Sequence, residues 1–346
     1  MITPKSIDEI PCLESMERIP QRPLGQLSDF VATEMPQVIK DNLAQLPTLA
    51  DELAQGVKDT DLTRIGCHLD IMMLAGAIEK NGMALGPQLS ELELELARQT
   101  GLPRILSYED LIIGNPHDKD PRTYVNDVEG QAEVFFYRIH RVIEEILGSA
   151  VRELESGLIE TDRLKEAVIN EVLPGMKAVN DEMDRMCEEL NGLHFMSFRH
   201  YFKPRPVDGE ELPGASGKFS PGVLALDTLG FGNDSNLKDR IAEKHTELDF
   251  YPQCNLEESG IVGVSDIQRA QTYADQAITL LELATAMEDA ELIEATTELA
   301  IEMKKFRNVH FKLVGKFLKD IITGTAGKVI TPFLRGFLKP FQLLTK

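Results

Sequence analysis

The sequence predicts an all-α fold with a small N-terminal part and a larger second part. Two observations carry the prediction. Apolar residues recur at three- and four-residue spacing through most of the 346 positions, with strong helix formers filling the long periodic stretches. Strand-like alternation is scarce, and the breaks fall at Gly, Pro and Asn clusters.

Leu27 to Leu53 is periodic but interrupted by Pro36 and Pro47. Thr63 to Ile78 reads as a more apolar helix ending near Asn81-Gly82. Gln88 to Thr100 sets Leu89, Leu92, Leu94 and Leu96 among acids, and its helix formers outweigh the partial alternation. Ile105 to Ile113 is apolar and breaks at Gly114-Asn115-Pro116, and Asp118 to Asn126 reads as a linker. Val128 to Gly157 is a long helix with Phe135, Phe136, Ile139, Val142, Ile143, Ile146 and Leu147 on one face. Thr161 to Asn191 is a second, kinked near Pro174-Gly175. His200 to Phe219, rich in Pro and Gly, is expected to be loop, and Pro221 to Leu229 to resume a helix. Asn233 to Gly263 is ambiguous. Ser265 to Leu318 supplies one or two long helices, and a short apolar segment follows the loop Thr323 to Lys328. The expected division is 1–110 and 111–346.

Composition narrows the function. With 57 acidic against 36 basic residues, the net charge of −21 argues against a nucleic-acid partner, which needs clustered Lys and Arg. Ten of the basic residues nevertheless lie between Lys304 and Lys346, beside the single acid Asp320. That stretch reads as a solvated helix face, a site for an anionic group, or a basic helix on a membrane surface. No segment approaches the ~18–20 apolar residues of a membrane span or resembles a signal peptide, so a cytoplasmic location is expected. Cys12, Cys67, Cys187 and Cys254 share no metal-type spacing, and the absence of Cys-x-x-Cys-His excludes covalent c-type haem attachment. Hydrolase elbows, P-loops, dinucleotide fingerprints and His-Glu-x-x-His are missing as well.

Chemistry is left to a few side chains. His140 sits mid-helix after Phe135-Phe136-Tyr137-Arg138-Ile139, and His310 shares the apolar stripe of Phe306, Val309, Leu313 and Phe317. A lone histidine on such a face is more often a core residue than a ligand, yet helical proteins do build cofactor sites from inward side chains. Arg199, among the aromatics of Phe195-Met196-Ser197-Phe198, either packs its stem or clamps an anion.

Several blocks, in order, resemble the indoleamine 2,3-dioxygenase family. Gly101 to Asp110 (GLPRILSYED) resembles the segment joining its small and large domains, and Phe135 to Val151 its distal haem-pocket helix. Phe195 to Phe202 resembles the block with the substrate-carboxylate arginine, and Gly214 to Ser220 (GASGKFS) the loop over the haem. Val309 to Phe317 (VHFKLVGKF) resembles the proximal helix, and Gly324 to Gly327 the mobile loop near the C-terminus.

The resemblance spans roughly Ile19 to Leu338 and implies a haem b enzyme. Its reaction would insert both atoms of dioxygen across the C2–C3 bond of L-tryptophan or a derivative, giving an N-formylkynurenine-type product. His310 would ligate the haem iron, Gly217 would lie in the haem-edge loop, and Arg199, Thr325, Phe136 and Ser216 would hold substrate. The basic C-terminal stretch would serve the propionates. Matching Gly148-Ser149-Ala150 to the family's small-residue run brings His140 to the distal position, where it resembles the tryptophan 2,3-dioxygenases; a one-residue shift puts Ile139 there instead. Met72, Met73 and Leu74 stand where the family often has aromatics, Lys218 and Phe219 replace small polar residues, and the stretch from Phe311 to Thr325 is short. The rival readings are an enzyme of the same scaffold acting on a modified tryptophan, a non-catalytic haem- or gas-binding protein, and a helical interaction protein without cofactor.

Overall fold

In the computed structural model of the chain, the described residues are 68, 69, 71–73, 75, 76, 79, 84, 85, 87–100, 102–112, 115, 121, 123, 127–199, 202, 205–207, 209–212, 214, 215, 217, 220–231, 261–274 and 279–317. Most of them are helical, as the periodicity predicts. Helical residues at 68–79 come first. They are followed by α1 (Pro87–Thr100), α2 (Tyr108–Ile112), α3 (Asp127–Ile159), α4 (Leu164–Ala167), α5 (Leu173–Glu189) and α6 (Gly192–Arg199). Then come α7 (Pro221–Phe231), α8 (Val264–Ala274), α9 (Leu280–Ala286) and α10 (Ala290–Phe317). The expected helix at Leu27 to Leu53, the segment after Leu318 and nearly all of Asn233 to Gly263 lie outside the described residues. Among the described residues, no helix is long and apolar enough to cross a membrane.

The chain divides into two compact units. One takes the described residues up to Arg138 and those of Leu190–Gly217, and the other takes Ile139–Glu189 and the described residues from Ser220 to Phe317. In the first unit, Leu69, Ile71, Met72 and Met73 are buried with Leu89, Leu96, Leu106 and Leu111. An aromatic cluster joins Phe136 and Tyr137 to Phe195, Phe198 and Phe202, with Phe136 centred 5.4 Å from Phe195 and 5.5 Å from Phe198. Tilted and edge-on ring pairs at such distances add to the burial of the rings themselves.

This unit also corrects the reading of His200 to Phe219 as loop throughout. Arg205–Val207 (β1) and Glu210–Leu212 (β2) form an antiparallel hairpin in which Val207 pairs with Glu210. The two residues between them are Asp208-Gly209, a pair suited to tight hairpins because glycine tolerates φ +89.

The second unit is a packed helical body. The Pro174 kink takes a specific form. Proline has no N–H for the carbonyl four residues back and its ring crowds that carbonyl, and the turn before it widens into a π segment, Val168–Val172. Helix α5 then packs along α10, where the Asn180 amide donates to the Glu302 backbone oxygen at 3.0 Å and to its carboxylate at 2.6 Å. Helix α7 packs on α8 and approaches α3 closely at Gly222, where a Cβ would lie 2.6 Å from that of Leu147.

Ser265 to Leu318 holds three helices rather than one or two. Thr279 caps α9 in a reciprocal box with Glu282. The Asp289 carboxylate accepts the backbone N–H groups of Glu291 and Leu292 at the start of α10, after a turn in which Glu288 takes φ 55.

Candidate functional site

His310 and His140 both fall in the second unit, on α10 and α3. Phe306, Val309, Leu313 and Phe317 bury the predicted stripe of α10, and His310 keeps some accessible surface within it. Its ring lies 6.4 Å from that of Phe306 in an edge-on arrangement. Burial lowers the His310 pKa to about 4, helped by the charge of Arg307 and by the His140 imidazole. His310 is therefore neutral at physiological pH. Among the described residues it makes no hydrogen bond, so a nitrogen lone pair is available. His140, partly exposed, is close enough for its charge to act on His310. Ile139, the alternative distal residue, is buried at 3% exposure.

One turn before His310, the Arg307 guanidinium donates to the Asp227 carboxylate of α7. Both residues are buried. Sequence reasoning did not single out this pair. Its trace in the sequence is Asp227 as the only acid in the apolar run Pro221–Phe231. Glu144, fully buried on α3, is a second such group, its carboxylate accepting the Gly222 N–H at 3.1 Å. Ser220 caps the same end of α7 through the Val223 N–H.

Phe136 and Arg199 fall in the first unit. Phe136, expected against substrate, packs within the aromatic cluster and keeps part of its surface accessible. Arg199 ends α6 directly after the fully buried Phe198 and is itself only 2% exposed. Its Nη1 has no hydrogen-bond partner among the described residues, and burial is the cause that lowers its pKa to about 10. The group stays cationic at neutral pH, and no carboxylate contributes to that shift. A buried guanidinium without an anion is costly, and the arrangement fits a site for a carboxylate ligand. In the same unit, the Tyr137 hydroxyl donates to the buried Glu133 carboxylate at 2.5 Å.

Gly217 is exposed, in the same unit as Arg199. Ser216 and Thr325 lie outside the described residues, as does most of the basic stretch after Phe317. Lys312 and Lys316 of that stretch are exposed, and Lys316 donates to the Cys187 carbonyl.

The His310 side chain fits a haem ligand. A neutral imidazole with an available nitrogen on a rigid helix is what an axial ligand requires, and a single protein ligand suffices for the iron. Among the described residues no group of three or more His, Cys, Asp or Glu is placed to hold a bare metal ion. The chain matches none of the known protein-family models, and no curated protein matches it.

Proposed function

We propose that the chain is a haem-dependent dioxygenase with the two-domain architecture of the indoleamine 2,3-dioxygenases, acting on L-tryptophan or a tryptophan derivative. The observation that carries the reading is His310. Its imidazole is kept neutral by burial and by neighbouring positive charge, on the helix where the resemblance expects an axial ligand. Haem bound there supplies dioxygen activation and insertion of both oxygen atoms across the indole C2–C3 bond.

The chain's own residues supply position and charge. Arg199 pairs with the substrate carboxylate through two parallel charge-assisted bonds, which its buried cation favours. His140 accepts a hydrogen bond from the indole N–H. Phe136 offers an aromatic face to the ring, Ser216 and Thr325 hold the amino-acid end, and Gly217 lets the loop approach the haem edge.

The test is a spectrum of protein expressed with haem precursor, reduced without oxygen, with and without L-tryptophan, followed by admission of oxygen. A Soret band that shifts with tryptophan, then growth of product absorbance, is the expected result. A Soret band retained unchanged in His310→Ala would remove the axial assignment. Haem binding indifferent to tryptophan would turn the search to modified indoles or gas binding.

A further inference from the structure

The first unit contains a buried charged cluster that the proposed chemistry does not use. His68, on the helical stretch 68–79, and Asp110, on α2, are both 0% exposed. The His68 Nδ1 lies 3.1 Å from Asp110 Oδ1, and its Nε2 lies 2.9 Å from the backbone oxygen of Pro103. The other Asp110 oxygen accepts the Ser107 N–H at 2.8 Å, and the Asp110 N–H donates to the Ser107 hydroxyl at 3.0 Å. The segment from Pro103 to Asp110, a loop that runs into the first turn of α2, is thus fastened to itself, and His68 fastens it to the preceding helical stretch.

Both ring nitrogens face acceptors, but a neutral imidazole carries one N–H. Whichever tautomer it takes, one lone pair would point at an oxygen in a site closed to bulk solvent. Only the doubly protonated ring satisfies both partners. We propose that His68 is a structural imidazolium and that its deprotonation releases the helical stretch 68–79 from the Pro103–Asp110 loop, making a pH-sensitive clasp within the first unit.

Among the described residues, the charged groups that face it are Asp110 from α2 and Glu93 from α1; Glu93 is also paired with Arg104 at 3.1 Å. Burial works against the charge, but the Asp110 charge and hydrogen bond, the Pro103 carbonyl and Glu93 outweigh it, and the His68 pKa is raised above 6.5. A raised folded-state pKa means that the clasp contributes fully below pH 6.5. Its contribution falls by up to about tenfold in opening equilibrium per pH unit above that value, and levels off beyond the folded pKa.

The test is hydrogen–deuterium exchange of the full wild-type chain from about pH 6 to about pH 9, corrected for intrinsic rates. Peptides covering 68–79 and 102–112 are expected to lose protection as pH rises, while peptides of α5 and α10 hold theirs. Protection of 68–79 and 102–112 that does not change with pH overturns the clasp. In His68→Gln, which cannot carry the charge, the pH dependence in those peptides should vanish; a slope equal to that of wild type would also overturn it. Should that variant fail to fold, Asp110→Asn serves in its place. Losing the carboxylate charge should shift the loss of protection to lower pH, and an unshifted profile would show that His68 is not the titrating group.

Discussion

Arg307 and Asp227 form a buried ion pair that joins α10 to α7 across 80 residues of sequence, one helical turn from His310. Removing one partner takes from the other buried charge its opposite charge, which costs more than the pair itself contributes. Asp227→Ala is expected to lower unfolding free energy by about 3–5 kcal/mol in denaturant titration. A loss below about 1 kcal/mol would mean that solvent reaches Arg307 in the folded protein.

The contact between α3 and α7 has no room for a side chain at Gly222. A Cβ there would meet Leu147 Cβ at 2.6 Å and the Glu144 carboxylate at 3.0 Å, and the first of these is part of a rigid helix. Gly222→Ala should therefore destabilise by about 1–3 kcal/mol, through overpacking and disturbance of the Glu144 hydrogen bond. Gly230 of the same helix, with nothing within 4 Å of an added Cβ, is the matched control and should tolerate alanine.

Arg199 separates stability from binding. Among the described residues its buried cation has no carboxylate to offset desolvation, so Arg199→Met should leave thermal stability unchanged or raise it. The same substitution should weaken tryptophan binding by about 2–4 kcal/mol, the loss of charge-assisted bonding to a carboxylate. Calorimetric unfolding paired with tryptophan titration reads both effects. A strongly destabilised variant would assign Arg199 to structure instead.

His140 and His310 can be tested without cofactor. In the haem-free chain His140→Gln removes one positive neighbour of His310 and should raise its pKa from about 4. The new value should remain below 6.5, because burial is the largest cause and is unaffected. An NMR titration of the imidazole resonances measures the change, and an unmoved pKa would show that the two rings do not sense each other.

Local rules made much of this architecture readable. The helix expected at Val128 to Gly157 extends over Asp127–Ile159, and that at Gln88 to Thr100 over Pro87–Thr100. In both, one apolar stripe and clear end signals agree. The capping box Thr279-x-x-Glu282 is a local signal too, and it divides the last helical region. The hairpin is hard to read because the surrounding Pro and Gly density masks the Asp208-Gly209 pair, which is flanked by strands of only three residues each.

At the candidate sites, position along a helix was legible and partnership was not. The stripe around His310 follows from helical periodicity. That Arg307 is neutralised by a residue 80 positions away, or that Arg199 meets no carboxylate among the described residues, depends on which helices meet, and no local pattern encodes that. His68 shows the same division. Its place on an apolar helix reads as core, while its charge is imposed by Pro103 and Asp110.

The π segment at Val168–Val172 has a further consequence for how the chain tolerates change in length. A single wide turn holds one more residue than an α-helical path over the same rise, so it works as an absorbed insertion. Deleting one residue within 168–172 together with Pro174→Ala would return the backbone to an unbroken α-helix while leaving the buried faces of Leu164–Ala167 and Leu173–Glu189 in their present directions. A deletion a few positions later, within α5, would instead rotate everything beyond it by about 100° and carry Met183 and Met186 out of the core. Among the long helical stretches of the described residues, the one that carries Pro174 in its interior is thus the one with slack to lose.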